Sequence, residues 1–313
     1  MIAPGQMSRV LITGGSGLIG QQLCNHLQQR GYEVALLGRS NSDHSNTLSY
    51  TWNLYRNEID RDAINNCDFI IHLAGTNIGA KRWTSKRKDE IINSRVKSID
   101  LIFNNLNRKS TKLKAFISAS AIGYYGALTS EHIFIETDPP AGDFLGQVCK
   151  KWEDAADKFT SAGIRTVKLR TGVVLSKQGG ALAKLQKPVQ WGVASAIGSG
   201  KQYMPWIHKD DLCAMYIHAL ENIQMEGAYN AVAPEHVSNK TFTERLAQVL
   251  GKPFWLPNIP AFVMKLMFGK MARMLLEGSR VSSEKIEAAG YKYQFPDLNK
   301  AFKELYSKRE LFP

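Results

Sequence analysis

VLITGGSGLIG, residues Val10–Gly20, is the stretch that decides the fold of this chain. The apolar run Val10–Ile12 predicts a buried parallel strand, the glycines after it predict a tight loop, and a helical pattern restarts at Leu18. Gly14 and Gly17 allow a sharp turn that brings backbone N–H groups near a phosphate, and Gly20 lets the helix pack closely on the strand. Because a helix N-terminus carries partial positive charge and unpaired N–H donors, the loop predicts an anion-binding site.

Composition is typical of a globular protein with a full core. The chain has 313 residues, 44% hydrophobic and 22% charged, which is enough for one large domain or two interlocked ones. No apolar run is long enough to span a bilayer and no signal peptide is visible, so we predict a cytoplasmic protein with no membrane partner. Residues 1–6 look like a dispensable lead-in, with Met7 an alternative start.

The four cysteines, Cys24, Cys67, Cys149 and Cys213, are scattered without a paired spacing. This pattern predicts reduced thiols and no metal site.

The net charge of +12 has two interpretations. Basic residues crowd at Lys81–Lys88 and Arg108–Lys114. They form either solvated surface with some attraction for a phosphate-rich cofactor, or a nucleic-acid surface. Because Trp83 is the one aromatic residue within these runs, the first interpretation is favoured and nucleic-acid binding is not expected.

Strands alternate with helices along most of the chain, which predicts an α/β doubly wound parallel sheet. After the glycine loop, strands are predicted at Glu33–Leu37, Tyr50–Leu54, Cys67–Leu73, Ala115–Ser118, Thr166–Leu169 and Asn230–Ala233, and helices at Gln21–Arg30, Ser85–Asn107, Trp152–Ala162, from about Asp210, and Thr241–Leu250. The Met-rich segment Ala261–Leu276 is interpreted as core because of its helical spacing. Residues 7–175, with about 205–233 returning, form the predicted cofactor domain, and 176–204 with 234–313 form a smaller mixed C-terminal domain on the substrate side.

The second predicted strand ends in Gly38-Arg39-Ser40, a position that distinguishes the two nicotinamide cofactors. An acidic residue there hydrogen-bonds the free ribose hydroxyl of NAD, whereas an arginine can pair with the 2′-phosphate of NADP. No acid precedes Asp43 after this strand. The sequence therefore favours NADP over NAD.

Several motifs together resemble the extended branch of the short-chain dehydrogenase/reductase superfamily, the epimerase/dehydratase-like proteins. TGGSGLIG at Thr13–Gly20 is similar to that branch's glycine fingerprint, and HLAG at His72–Gly75 to its fourth-strand motif. The chain also resembles an atypical subfamily of epimerase-family proteins that has an extra C-terminal domain. The stretches that carry this resemblance are Ser118–Gly126, Asp143–Glu153, Arg170–Leu182, Gly198–Leu212 and Leu275–Phe302. The resemblance implies a Rossmann fold and an oxidoreductase or epimerase-like activity.

The resemblance also implies a set of NADP contacts. They are Thr13, Gly14, Ser16, Gly17, Leu18, Ile19, Gly38, Arg39, Ser40, Leu73, Ala74, Gly75, Glu90, Arg95 and Arg170. Arg95 stands where ordinary members carry an asparagine, which implies a second cation near the cofactor. From the residues alone, Glu90 and Arg95 also fit a solvated helix face, and His72 is predicted to pack within its strand.

The chain departs from the family at Asp143–Glu153, where typical members carry Tyr-x-x-x-Lys. Those two places hold Leu145 and Cys149, or Phe144 and Val148 in a register slipped by one. Neither register supplies the phenol and amine that handle the proton. Cys149 is predicted to pack in the core, since its surroundings are apolar.

Four other residues are candidate replacements for the missing pair. Ser120 occupies the place of a substrate-binding hydroxyl in the resembled motif, and Tyr125 is either a proton donor or a packed aromatic with one hydrogen bond. Lys150 is predicted to face elsewhere, since one helical position rotates a side chain by about 100°. His208 has general-base chemistry available.

Two functions remain open on the sequence. The first is an NADP(H)-dependent oxidoreductase or sugar-epimerase-like enzyme acting on an unknown carbonyl or sugar-like small molecule, with Ser120 and Tyr125 catalytic. The second is a non-catalytic NADP(H)-sensing regulatory protein with a protein or RNA partner. A monomer and a homodimer are both compatible with the sequence.

Overall fold

A computed structural model describes residues 8–40, 47–107 and 111–307 of the chain. The proposed lead-in at residues 1–6, the alternative start Met7, Asp43 and residues 108–110 of the second basic run lie outside these ranges. None of the helices in the described ranges combines the length and hydropathy needed to cross a bilayer.

Twelve strands and eleven helices make up the described part of the chain. The strands are β1 Arg9–Thr13, β2 Glu33–Gly38, β3 Leu48–Asn53, β4 Glu58–Ile59, β5 Phe69–His72, β6 Ala115–Ala121, β7 Ile133–Phe134, β8 Arg165–Thr171, β9 Val173–Leu175, β10 Trp206–His208, β11 Gly227–Ala231 and β12 Arg280–Val281. The helices are α1 Leu18–Gln29, α2 Arg61–Asn65, α3 Ser85–Asn105, α4 Phe144–Ser161, α5 Gly180–Gln190, α6 Lys209–Glu221, α7 Asn239–Val249, α8 Ala261–Phe268, α9 Arg273–Leu276, α10 Glu284–Ala288 and α11 Leu298–Tyr306.

Eight strands form one sheet in the order β11-β8-β6-β5-β1-β2-β3-β4. β1 pairs in parallel with both β2 and β5, β2 with β3, and β5 with β6, while β4 runs antiparallel to β3. The chain proceeds outward from β1 through β2 and β3, then crosses back to β5 on the other side. The strand order therefore reverses between β1 and β5, and in such sheets ligands bind at the carboxyl ends beside that reversal. The predicted doubly wound sheet is confirmed.

Residue contacts divide the chain into two compact units. The first comprises residues 1–124, 140–170 and 213–229, and contains most of the large sheet. Its core joins β1, β5 and β6 to α3 and α4, and Phe116 stacks on Phe159 with ring centroids 4.0 Å apart. As the hydrophobic pattern predicts, α3 buries a stripe that includes Ile91, Ile99 and Ile102.

The second unit comprises residues 125–139, 171–212 and 230–313. It contains two small parallel pairs, β9 with β10 and β7 with β12, and a core contributed largely by α5, α7 and α11. Residues 125–139 belong to this unit and contribute β7, which pairs with β12. The assignment of cofactor to one domain and substrate to the other stays a prediction.

Helix α4 starts earlier than predicted. It begins at Phe144 instead of Trp152, because the Asp143 carboxylate accepts a hydrogen bond of 2.9 Å from the Gly146 N–H and so caps the helix. Gly146 fits because a Cβ there would lie 2.1 Å from the Ala141 carbonyl oxygen. The resembled Asp143–Glu153 stretch is therefore helical throughout its length after the cap.

The interpretation of the Met-rich segment as core is correct for only part of the segment. Residues 261–276 form α8, a 3₁₀ turn and α9, and the buried side chains in this segment are Met264 and Ala272. Phe262, Leu266 and Met267 are exposed. Helical spacing of apolar residues predicted burial, whereas most of the surface of these three side chains stays accessible.

Candidate functional site

The glycine loop lies at the carboxyl ends of β1 and β5. Gly14 has φ +73°, and a Cβ on it would stand 3.0 Å from the Leu73 carbonyl carbon and 3.1 Å from the Ala74 nitrogen. The Ala74 N–H donates to Thr13 Oγ1 at 3.2 Å, which ties the two strand ends together. A side chain at position 14 would therefore force these two segments apart.

Helix α1 begins directly after this loop with its first turn open. Gly17 is the N-cap residue and has no side chain to accept from the amides that follow, and the first turn contains no acidic residue. A Cβ on Gly20 would lie 2.4 Å from the Gly14 carbonyl oxygen, so only glycine permits this helix to approach the loop so closely. No side chain caps the amide donors at this helix end, and such donors can bind an anion. Anion binding at this loop stays a prediction.

Arg39 and Ser40 follow β2 and are both exposed. Among the described residues Arg39 forms no ion pair, so its charge is not already neutralised by a carboxylate. The parallel register places Leu37 of β2 beside Thr13 of β1, so Arg39 leaves the sheet at the same edge as the glycine loop. At this position the Arg39 side chain could contact the far end of an extended anionic ligand bound at the loop.

Arg95 is a desolvated cation close to the end of β5. Its guanidinium lies 3.1 Å from the position of a Cβ on Gly75, donates to the carbonyl oxygens of Thr76 and Ile91 at 3.1 and 3.0 Å, and covers the Trp152 ring. Burial lowers the pKa of Arg95 to about 10. Within the described ranges no carboxylate pairs with it, which leaves an uncompensated positive charge that an anion would stabilise.

Glu90, the neighbouring candidate, is already engaged. Its carboxylate lies 3.0 Å from Arg87 Nη1 across one helical turn of α3. A direct contact between Glu90 and the cofactor stays a prediction.

Arg170 differs from Arg95 because its charge is compensated. Its Nε and Nη2 donate to the two carboxylate oxygens of Glu153 at 2.8 and 2.9 Å, and both side chains are buried. Ser120 Oγ donates to the same carboxylate at 2.7 Å. The Arg170 guanidinium also stacks on the Tyr124 ring, 3.5 Å from its centroid. Arg170, a predicted cofactor contact, and Ser120, a predicted substrate contact, therefore belong to one buried hydrogen-bond network with Glu153.

The places of the missing Tyr and Lys face the turn that follows β6. A Cβ built on Gly123 would lie 3.4 Å from Leu145 Cβ and 3.5 Å from Cys149 Sγ. Burial raises the pKa of the Cys149 thiol to about 12, so this side chain packs as a neutral thiol, as predicted. Lys150 faces elsewhere, also as predicted, and pairs with Asp154 at 2.5 Å.

Tyr125 belongs to the second unit and is buried there. Its hydroxyl donates to Asn230 Oδ1 at 2.7 Å, and its ring stacks on Phe134 with centroids 4.9 Å apart. The Asn230 side chain is fixed in turn, because its Nδ2 donates to the Ser282 carbonyl oxygen. The Tyr125 hydroxyl therefore directs its hydrogen toward the Asn230 amide oxygen. A catalytic role for Tyr125 stays a prediction.

His208 is also buried in the second unit, with both ring nitrogens engaged. Nδ1 accepts from the Asp210 N–H at 3.2 Å and Nε2 lies 3.1 Å from Glu304 Oε2. His208, Asp210 and Glu304 bring potential metal-ligand atoms within 4.8 Å of one another. Because the imidazole lone pair already accepts a backbone N–H, we assign this group to the attachment of α11 and not to a metal.

His72 packs at the end of β5, as predicted, and gives a pH-dependent stability. Burial lowers its pKa to about 3, helped by the charge of Arg95, and its Nδ1 has no hydrogen-bond partner among the residues that the structure describes. In the unfolded chain the imidazole binds a proton near pH 6.5, whereas in the folded chain it stays neutral until about pH 3. The contribution of His72 to the free energy of unfolding is therefore complete above pH 6.5 and is lost as pH falls toward 3.

We expect His72→Asn to reduce the acid-induced loss of unfolding free energy between pH 6.5 and pH 5 by about 2 kcal/mol. Urea denaturation at the two pH values measures it. The exposed His132, which pairs with Asp138, provides a control through His132→Asn. An unchanged pH slope in the His72 variant would contradict the assignment.

Sequence reasoning missed Glu153 and Asn230 as partners of the candidate hydroxyls. Glu153 had a detectable signal: it lies four residues after Cys149 on the buried face of α4, among apolar side chains. A carboxylate on such a face needs a cation or a hydroxyl to satisfy it. Asn230 gave no comparable signal, since its partner is 105 residues away in the chain.

Comparison with known proteins agrees with this geometry. The model of the NAD dependent epimerase/dehydratase family matches residues 10–232, which include the glycine loop, the β5 end and Arg170. The chain belongs to this family. A second match, to a domain of unknown function (DUF1731), covers residues 259–305.

Relatives within the family align over nearly their whole length. The human epimerase family protein SDR39U1 is 36% identical over 303 residues, covering 95% of this chain and 99% of the relative. The epimerase family protein YfhF of Bacillus subtilis is 31% identical, covering 96% and 99%. A crystal structure of human SDR39U1 (isoform 2) with NADPH superimposes with a TM-score of 0.82 at 33% identity, covering 95% of this chain and 99% of the other.

Proposed function

We propose that this chain binds NADP(H) along the carboxyl ends of β1, β2 and β5 and uses it as an oxidoreductase or sugar-epimerase-like enzyme. The observation that carries the proposal is the close backbone packing of the glycine loop. A Cβ at position 14 would overlap the backbone of the segment after β5, and a Cβ at position 20 would overlap the backbone of the loop itself. The structure of SDR39U1 with NADPH supports the choice of cofactor. The substrate class is a small carbonyl or sugar-like molecule.

Most of the predicted contacts, apart from Glu90 and Arg170, have a physical task in this proposal. The amides of Gly14–Ile19 would bind the pyrophosphate, and Leu73–Gly75 would provide backbone close to the cofactor. Gly38, Arg39 and Ser40 would bind the adenosine ribose with its 2′-phosphate. Arg95 would gain an anion for its partly buried charge. These residues fit a dinucleotide that carries an additional phosphate.

Arg39→Asp is expected to weaken NADPH binding by about a hundredfold and NADH binding by less than about threefold. The substitution removes a charged hydrogen bond to the 2′-phosphate and adds a repelling carboxylate, whereas NADH has no phosphate there. Isothermal titration of both cofactors measures the two dissociation constants. The exposed Arg56→Asp makes the same change in net charge and should affect both cofactors equally and weakly. Equal losses for both cofactors in the Arg39 variant would contradict recognition of the phosphate.

In the reaction, bound NADP(H) supplies or accepts a hydride at the nicotinamide ring. Ser120 Oγ has its hydrogen directed to Glu153, so its lone pairs can accept a hydrogen bond from a substrate hydroxyl. The Arg170 guanidinium holds the Glu153 carboxylate in place through two hydrogen bonds. Tyr125 is the second proposed polarising group, with Asn230 fixing its hydroxyl.

The experiment that tests catalysis follows NADPH absorbance with purified protein and a panel of carbonyl compounds and nucleotide sugars. Steady oxidation that Ser120→Ala lowers by about a hundredfold, with NADPH affinity unchanged, supports the enzyme. Tyr125→Phe tests the second hydroxyl in the same assay. Turnover that neither substitution alters would remove both residues from the mechanism.

A second function is favoured by one observation, the neutral Leu145 and Cys149 at the places of the missing Tyr and Lys. In that case the chain is an NADP(H) sensor that signals to a protein or RNA partner. Tight NADPH binding without turnover over the panel favours the sensor, and retention of RNA that falls with rising salt identifies the RNA form. Oligomeric state and compartment stay predictions of the sequence.

A further inference from the structure

Helix α8 presents an apolar surface to solvent. Its exposed side chains Phe262, Leu266 and Met267 are 70%, 77% and 56% accessible, and Trp255 in the segment before the helix is 73% accessible. We call Phe262, Lys265, Leu266 and Met267 the α8 surface. Phe262 and Leu266 stand four residues apart and so lie one above the other on one side of the helix. Exposed side chains of this size on consecutive turns indicate a binding surface.

The opposite side of α8 accounts for its attachment. Met264 is buried with Ala272 and Ile197 in a small cluster, bordered by Ile259, Phe268, Leu275 and Leu276. This cluster fixes the helix to the second unit and turns Phe262 and Leu266 outward. The exposure is therefore a consequence of how the helix packs, and it does not require the helix to detach.

The charged residues of the segment that contains the α8 surface have a single sign. Residues 246–276 contain no aspartate or glutamate, and their cations are Lys252, Lys265, Lys270 and Arg273. All four are exposed, and in the portion of the chain that the structure describes none of them forms an ion pair. Lys265 lies within the α8 surface itself. The segment thus combines unneutralised positive charge with exposed aromatic and aliphatic groups.

We propose that the α8 surface binds the face of an anionic lipid bilayer. Aromatic and aliphatic side chains enter the region between headgroups and acyl chains, while lysines contact anionic headgroups, and this segment offers both. A second copy of the chain is a poorer occupant, because pairing α8 with α8 would bring two sets of unneutralised lysines together. The sequence prediction of no membrane partner rested on the lack of a spanning segment, which does not test a helix lying on the surface.

The proposal is tested by sedimentation of the full chain with vesicles. We expect binding to vesicles made of equal parts phosphatidylcholine and phosphatidylglycerol, at least about tenfold weaker binding to phosphatidylcholine alone, and a decrease with rising salt. Leu266→Ser should weaken binding about tenfold and Lys265→Gln about fivefold. Ile223→Ser and Lys97→Gln provide matched controls, since Ile223 is as exposed as Leu266 and Lys97 is an exposed lysine elsewhere.

Circular dichroism and thermal melting of each variant establish that it folds before binding is compared. Equal loss of binding in the Leu266 and Ile223 variants would overturn the proposal, as would equal binding to both vesicle types. Light scattering distinguishes the bilayer from a second copy of the chain as the occupant of the α8 surface. A dimer that Leu266→Ser converts to monomer, with no vesicle binding by the parent chain, would assign the α8 surface to a second copy.

Discussion

Glu153→Gln is expected to lower the free energy of unfolding by about 3 kcal/mol. The substitution keeps the size of the side chain and most of its hydrogen-bonding capacity, but it leaves the Arg170 guanidinium buried without a counter-charge. Only 4% of the Arg170 side chain and 6% of the Glu153 side chain are exposed, so water cannot compensate for the lost carboxylate. Equilibrium urea denaturation followed by far-ultraviolet circular dichroism measures the change.

The same helix provides the control for this prediction. Asp154 is the next residue of α4, and its ion pair with Lys150 is about half exposed on both sides. Asp154→Asn should therefore cost less than about 0.5 kcal/mol. Arg170→Met in the Glu153→Gln background should recover part of the loss, because it removes the unpaired charge. Equal losses in the two single variants would contradict the network.

Gly14→Ala is expected to lower affinity for NADPH and for NADH by at least about thirtyfold each. The added methyl group would overlap the backbone of Leu73 and Ala74, so the loop must shift and its amides lose their positions opposite the pyrophosphate. Because both cofactors contain the pyrophosphate, the loss should be similar for the two. This expectation distinguishes the loop from Arg39, whose substitution is expected to weaken binding of the phosphorylated cofactor selectively. Isothermal titration measures both affinities.

Gly31→Ala is the matched control. Gly31 has φ +83°, close to the +73° of Gly14, but a Cβ on it would meet no atom of the described residues within 4 Å. The backbone strain of the two variants is therefore comparable, about 1 kcal/mol, and only the steric overlap differs. NADPH affinity should be unchanged in Gly31→Ala. A similar loss of affinity in both variants would mean that strain alone, and not the close approach to β5, is responsible.

The sequence was sufficient to predict most of the first unit's sheet. The order of apolar runs, the glycine loop and the resembled motifs predicted β1, β2, β5 and β6 to within a few residues, since parallel strands buried on both faces are almost continuously apolar. The start of α4 was missed because Gly146 weakens the helical pattern, and the capping contact from Asp143 that offsets it is a geometric detail.

Two other errors have tertiary causes. Apolar residues at helical spacing in α8 predicted burial, yet burial needs another element to cover the helix, and local sequence does not encode which faces are covered. The network of Ser120, Glu153 and Arg170 could not be predicted either, because the contacts join β6, α4 and β8 across separations of 33 and 17 residues. Sequence patterns indicate candidate groups, whereas their partners depend on packing.

The strand order of the large sheet has a consequence for synthesis on the ribosome. A nascent chain that has emerged only through β6 exposes the ring face of Phe116 that Phe159 later covers, and the edge of β6 that β8 later occupies. The strand β11, which closes this side of the sheet, follows after the intervening residues 172–226 have been made. Such unpaired edges and uncovered aromatic faces bind chaperones or other nascent chains. Delayed translation between β6 and β11 should therefore raise the demand for chaperones.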